Sequence, residues 1–136
     1  MTTIFSKIID REIPAAIIYE DDTVLAFLDI TPVNKGHSLV IPKQPFVNIF
    51  DGNPEVLAHM MKVGQKIAQV LKSEGLAEGV NLIMNNGEEA GQEVFHSHLH
   101  VIPRLKNDGS YEKPKHVECS NDELSEIKTR LADKLK

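Results

Sequence analysis

Cys119 is the only cysteine in a chain of 136 residues, so no disulfide can form within it and neither a CxxC redox pair nor a four-cysteine zinc site is available. That scarcity suits a reducing compartment. Basic residues are also short: 15 Lys and Arg against 20 Asp and Glu leave a formal charge of −5. A surface built to grip a nucleic acid polymer needs a clustered basic face, and this balance argues against one. A small phosphate ligand, held by a few local donors, stays open. Long apolar runs are missing, and Lys7 and Asp10 break up the first ten residues, so neither a secretory signal nor a membrane span is expected there. The expectation is a cytoplasmic protein with no membrane partner. Internal repeats and low-complexity tracts are absent as well.

With 41% hydrophobic and 26% charged residues over 136 positions, the chain fits one domain, 1–136, large enough to bury a continuous core. Apolar, β-branched clusters bounded by turn formers mark five short strands at Ile17 to Tyr19, Val24 to Asp29, Ser38 to Ile41, Val80 to Met84 and Phe95 to Ile102. Glu20-Asp21-Asp22 supplies a polar turn between the first two, as in an antiparallel hairpin. From Pro54 to Glu74, Leu57, Met60, Met61, Gly64, Ile67, Ala68 and Leu71 recur at three- and four-residue spacing, which predicts one long amphipathic helix. Pro54 suits its first turn and Gly75 its end. A second helix is predicted from about Asn121, where Ser120 and Glu123 form a capping-box pattern ahead of Leu124, Ile127, Leu131 and Leu135. Residues 105 to 119, rich in Lys, Asn, Asp, Gly, Pro and Glu, read as an exposed connector. The expected class is α+β: a five-stranded antiparallel sheet with the long helix packed on it and a C-terminal helix.

Three of the six histidines fall within five residues, as His96-Ser97-His98-Leu99-His100. At this composition chance places such a pattern in roughly one chain in a hundred. In a strand, alternate side chains share a face, so the three imidazoles line up in steps of roughly 6.6 to 7 Å. Burying three as filler is costly, because each brings two ring nitrogens that need partners. Two chemistries compete. The rings can ligate a metal, although no aspartate or glutamate lies close by in sequence to join them in the usual way. Alternatively, one ring is a nucleophile toward phosphorus and its neighbours serve as donors, with the middle one best placed to attack. A backbone carbonyl accepting from the far nitrogen of that ring would fix its tautomer. A protein that binds nucleotides without turnover is a third reading. His59, on the polar helix face, and His116, in the connector with Cys119, carry no specific signal.

The segment Gly91-Gln92-Glu93-Val94-Phe95-His96-Ser97-His98-Leu99-His100-Val101-Ile102 resembles the signature of the histidine triad (HIT) superfamily. Upstream, Ile4-Phe5-Ser6-Lys7-Ile8-Ile9, Glu12-Ile13-Pro14-Ala15, Tyr19-Glu20-Asp21-Asp22, Ala26-Phe27-Leu28-Asp29-Ile30 and Gly36-His37-Ser38-Leu39-Val40-Ile41-Pro42-Lys43 resemble its Hint-related branch and bacterial HIT-like proteins. The likeness spans about residues 4–104, leaving 105–136 as connector and C-terminal helix. It implies a nucleotide hydrolase or transferase working at an α phosphate, with purine nucleoside phosphoramidates or dinucleoside polyphosphates as substrates and a homodimer as the working unit. In these terms His98 is the nucleophile, His96 and His100 assist it, and His37 is a fourth histidine of the site. Asp29 holds the ribose hydroxyls, with a turn-capping role before Thr31-Pro32 as the alternative. Phe5, Ile13, Phe27 and Ile30 line the base cleft, and Asn85 and Gln92 contact ribose, phosphate or leaving group. Glu93 stands where the family often has Ser or Thr, and its carboxylate would repel a phosphate. Some relatives hold a structural zinc; here Thr3 and Ser6 occupy the cysteine positions and Pro45 a histidine position, so neither a metal nor another cofactor is expected.

Overall fold

The computed structural model describes residues 2–109 and 113–136; Ser110, Tyr111 and Glu112 of the expected connector, and Met1 of the expected domain, lie outside the described residues. In chain order the elements are α1 (Ile4–Ile9), β1 (Ile17–Glu20), β2 (Val24–Leu28), β3 (Ser38–Pro42), α2 (Pro54–Ser73), β4 (Gly79–Ile83), a 3-10 turn (Glu88–Ala90), β5 (Leu99–Arg104) and α3 (Asn121–Lys134). The strands form one sheet in the order β1-β2-β3-β5-β4, with every neighbouring pair antiparallel. The fold is therefore the α+β class expected, with five strands and both predicted helices.

Strand alternation sorts the sheet into two faces. Val24, Ala26, Val40, Leu99 and Val101 point to one side and pack on Met60, Val63, Ile67 and Leu71 of α2. Gly64 lets the helix come close, since a Cβ there would stand 2.9 Å from Leu99 Cδ2. Leu25, Phe27, Leu39 and Ile41 point to the other side, where Phe5 and Ile8 of α1 cover them. Helix α1 was not expected from the sequence. Its Thr3 cap accepts from the Ser6 amide while Ser6 returns the bond to the Thr3 amide, a capping box in a segment of only six helical residues.

The fifth strand starts later and ends later than the sequence suggests, at Leu99–Arg104 instead of Phe95 to Ile102. Its ladder with β3 runs only from Ser38↔Val101 to Val40↔Leu99. Beyond that point the Pro42 carbonyl accepts from the His96 ring at 3.0 Å, and the Ser97 amide donates to Phe46 O at 2.8 Å. Side chain and loop thus replace the ladder: His96 lies in a bend and His98 in irregular chain just ahead of the strand, so of the three rings only His100 belongs to β5. Pro103 is tolerated in this central strand because β3 no longer pairs there, so its missing N–H interrupts nothing.

Helix α3 carries its own capping box, but all of its residues are exposed, Leu124, Ile127 and Leu131 among them. Cys119 and His116 are exposed too. His59 ties α2 to the β1–β2 turn, with its Nε2 2.7 Å from Asp21 Oδ2; the Tyr19 hydroxyl donates to the same oxygen at 2.7 Å. No helix among the described residues is long and apolar enough to cross a membrane.

Candidate functional site

The face covered by α1 also carries the histidines. His96 is fully buried, and its two nitrogens have separate partners: Pro42 O, and Thr3 Oγ1 at 3.0 Å. A carbonyl only accepts, so Nε2 carries the proton of the neutral ring and Nδ1 accepts from the Thr3 hydroxyl. Thr3 and Ser6, the residues at the cysteine positions of zinc-bearing relatives, are spent on this hydrogen-bond chain and on capping α1.

His98 is 9% exposed, with Nδ1 2.8 Å from the carbonyl of His96. By the same logic Nδ1 holds the proton and Nε2 keeps its lone pair. Phe5 meets the His98 ring edge-on at a centroid distance of 5.0 Å, and the His100 ring lies 5.0 Å away on the other flank. Burial lowers the pKa of His98 from its ordinary value, against the opposing pull of the His96 carbonyl and the Asp29 charge. The ring is thereby kept neutral into mild acid.

His37, at the start of β3, is 4% exposed. The Val33 amide donates to its Nδ1 at 3.1 Å, so the proton of neutral His37 is on Nε2, 3.0 Å from His100 Nδ1. His100 then accepts at Nδ1 and carries its own proton on Nε2. Burial lowers the pKa of both rings; Asp29 opposes this in each case, and for His100 the charges of His98 and His37 add to the lowering and bring it to about 4. Burial likewise lowers His96, with the Pro42 carbonyl opposing. The site therefore presents a bare nitrogen on His98 beside an N–H donor on neutral His100.

Asp29, just after β2, is half-buried. Its Oδ1 accepts from the Thr31 amide at 2.9 Å and the Thr31 hydroxyl at 3.1 Å, so the turn-capping role is real. Its Oδ2 lies 3.6 Å from His37 Nε2. Asp29, His37 and His100 have ligand atoms all within 4.8 Å of one another, the only such metal-capable group among the described residues. No aspartate or glutamate lies near the triad in sequence; Asp29 arrives from the β2–β3 connection, some 70 residues upstream in the chain.

The remaining expected residues divide. Phe5, Phe27 and half-buried Ile13 form a continuous apolar wall beside His96 and His98. Ile30 is 90% exposed and stands outside that wall, because the chain turns outward at Thr31-Pro32. Asn85 is half-buried beside Gly91, and Glu93 is exposed. Gln92 is 3% exposed, and its amide is saturated within the chain. The oxygen accepts from Asn48 Nδ2 and the Gly87 amide; the nitrogen donates to Val47 O and Val94 O. An amide offers four such positions, so Gln92 braces the 85–91 loop with none left for a ligand. Sequence reasoning missed Thr3 and the Val33 amide. Thr3 had a signal, the Thr-x-x-Ser cap ahead of Phe5 and Ile8; a backbone donor has none.

The HIT domain family model matches residues 10–107. A HIT-like protein of Methanocaldococcus jannaschii is 48% identical over 124 residues, which is 91% of this chain and 94% of that protein. The crystal structure of a HIT family member from Bacillus subtilis superposes with a TM-score of 0.90 at 39% identity, covering 100% of this chain and 99% of the other. The crystal structure of a histidine triad nucleotide-binding protein from Candida albicans gives 0.88 at 32%, covering 98% and 97%.

Proposed function

The chain belongs to the HIT domain family, and from that premise we propose that it hydrolyses or transfers nucleotides at the α phosphate, through a covalent nucleotidyl intermediate on His98. Membership carries a general association with nucleotide binding and hydrolysis, and the Candida albicans relative is a histidine triad nucleotide-binding protein. One observation carries the mechanistic reading: the His96 carbonyl holds the proton of His98 on Nδ1 and leaves Nε2 free.

In the first step Nε2 forms a bond to the α phosphorus as the bond to the leaving group breaks, and the leaving group takes a proton from solvent water as it departs. The positive charge left on the His98 ring is stabilised through Nδ1–H by the His96 carbonyl, as a carboxylate stabilises the imidazolium of a serine protease. The His100 N–H is positioned to donate to a phosphoryl oxygen while charge builds there. Water then attacks the same phosphorus, the P–Nε2 bond breaks and the water's proton passes to solvent, which releases a nucleoside monophosphate and returns His98 to its neutral form. Phe5, Ile13 and Phe27 supply an apolar wall for the base, and Asp29 Oδ2 retains lone pairs for ribose hydroxyls. The substrates are purine nucleoside phosphoramidates or dinucleoside polyphosphates, and the working unit is a cytoplasmic homodimer.

The metal reading, with His96, His98 and His100 around one ion, asks each ring for a lone pair. His96 has both nitrogens committed, and His100 Nδ1 is taken by His37. The triad itself therefore does not fit an ion. Acid-quench mass spectrometry during turnover of an adenosine phosphoramidate tests the proposal. An adenylate increment on the peptide holding His98, with rates unaffected by EDTA, is expected. Verified turnover with no adduct refutes the covalent step.

A further inference from the structure

We propose that the backbone amide of Val33 is a positioning group: by donating to His37 Nδ1 it sets the tautomers of His37 and His100 together and keeps the Asp29–His37–His100 cluster from taking a divalent metal.

The cluster has the composition of a zinc site, two imidazoles and a carboxylate. Its spacings suit one as well, with His37 Nε2 3.0 Å from His100 Nδ1 and 3.6 Å from Asp29 Oδ2. An ion there would need the lone pair of His37 Nε2. A neutral imidazole that ligates through one nitrogen carries its proton on the other, and that N–H normally donates to an acceptor. Here the other nitrogen faces the Val33 N–H at 3.1 Å. Two N–H groups would then point at each other, so ligation is opposed by a donor that belongs to the main chain.

With Nδ1 barred from carrying a proton, His37 Nε2–H turns to His100 Nδ1, and His100 can only present Nε2–H outward. The same amide thus both excludes the ion and orients the donor. The turn bearing it is held from several sides. The His37 amide donates to Asn34 O, and the Asn34 side chain donates to Pro103 O and to Asp108 Oδ2, each at 2.9 Å. Arg104 fixes Asp108 through two bonds, of 2.8 and 2.6 Å. The Val33 side chain itself is 44% exposed, so its own packing does not account for the position of the amide.

The catalytic consequence rests on the covalent reading above; the tautomers and the metal exclusion do not, and they are measured without turnover. In wild-type protein, nitrogen NMR should find His37 Nδ1 unprotonated and coupled through the hydrogen bond to the Val33 amide nitrogen. A protonated His37 Nδ1 overturns the proposal, whatever the variants do. Titration with Co2+ should leave the wild type and Val33→Ala without the visible bands of a tetrahedral site. Val33→Pro, which removes the N–H at the cost of a ring in place of the side chain and a fixed φ, should gain those bands and lose them again with Asp29→Asn. In the same variant kcat should fall by up to about 10²-fold, the cost of one misplaced donor, while KM holds. A folded Val33→Pro protein that stays colourless, or wild type that takes up cobalt through these residues, refutes the exclusion. Failure to find an adduct on His98 would leave the NMR and cobalt readouts standing.

Discussion

Lowering the pH from 7 to 4.5 should destabilise the fold through its buried imidazoles. His100 is pushed down to about 4 from an ordinary 6.5, chiefly by burial. Between those values the unfolded chain binds a proton that the folded chain refuses, so stability falls as the pH drops below 6.5 and the loss is complete below the folded value. A gap of about 2.5, at about 1.4 kcal/mol per pH unit and discounted for the solvent that reaches this partly exposed ring, gives about 2 kcal/mol for this residue, most of it lost by pH 4.5. His37, His96 and His98 are lowered too, and add in the same direction. Against a typical total of about 5–15 kcal/mol this is a large share. Carboxylates act in another window. Burial disfavours the Asp21 charge, but bonds from His59, Val24, Tyr19 and Thr23 outweigh it and hold its pKa below the usual range, so its contribution is lost only in stronger acid. Urea midpoints followed by circular dichroism at pH 7, 5.5 and 4.5 measure the effect, and His100→Asn should flatten the slope by its share. A wild type equally stable at pH 6.5 and 4.5, or a variant with the wild-type slope, would refute the assignment of neutral, desolvated rings.

Three further outcomes follow from named contacts. His98→Ala should lower kcat by about 10³-fold or more while nucleotide Kd changes little, since the lost group acts on the reacting phosphorus; steady-state rates and calorimetry separate the two. Asp29→Asn should raise KM for ribonucleotide substrates by about tenfold and erase their advantage over 2′-deoxy analogues, as expected for a charge-assisted bond to a hydroxyl. Gln92→Leu should cost about 2–4 kcal/mol in chemical denaturation, because it strands the Gly87 amide and the Val47 and Val94 carbonyls.

Where periodicity was strong, the sequence was an adequate guide. The predicted span of α2, 54–74, is within one residue of the observed helix because Pro54 and Gly75 frame a clear apolar stripe. Strand β5 was displaced because its limits depend on Pro42, a residue distant in sequence, whose carbonyl is claimed by a side chain. Helix α1 escaped notice because six residues give too short a window for a 3.6-residue period. Among site residues, the triad is legible as ring chemistry in a pattern, whereas His37 and Asp29 come only through the resemblance; the structure brings all of them together. Gln92 is named through the resemblance, and the direction of its bonds, which run to the loop, is nothing a sequence shows. Ile30 is named only through the resemblance, and in the structure it is 90% exposed, next to the bend at Thr31-Pro32.

The alternation through Ser97, Leu99 and Val101 has a consequence for what changes this chain can absorb. The residues between and beside the histidines are fastened to Met84, α2 and Gly64 on the reverse side of the same short stretch. A deletion or insertion of one residue there would swap the two sets at a stroke, sending leucine and valine toward the face of α1 and imidazoles into the apolar layer beneath α2. Point replacements can retune this site; a shift of frame cannot, so new specificities have to come from the loops around it, at Asp29, at 85–93 and at the α1 cap.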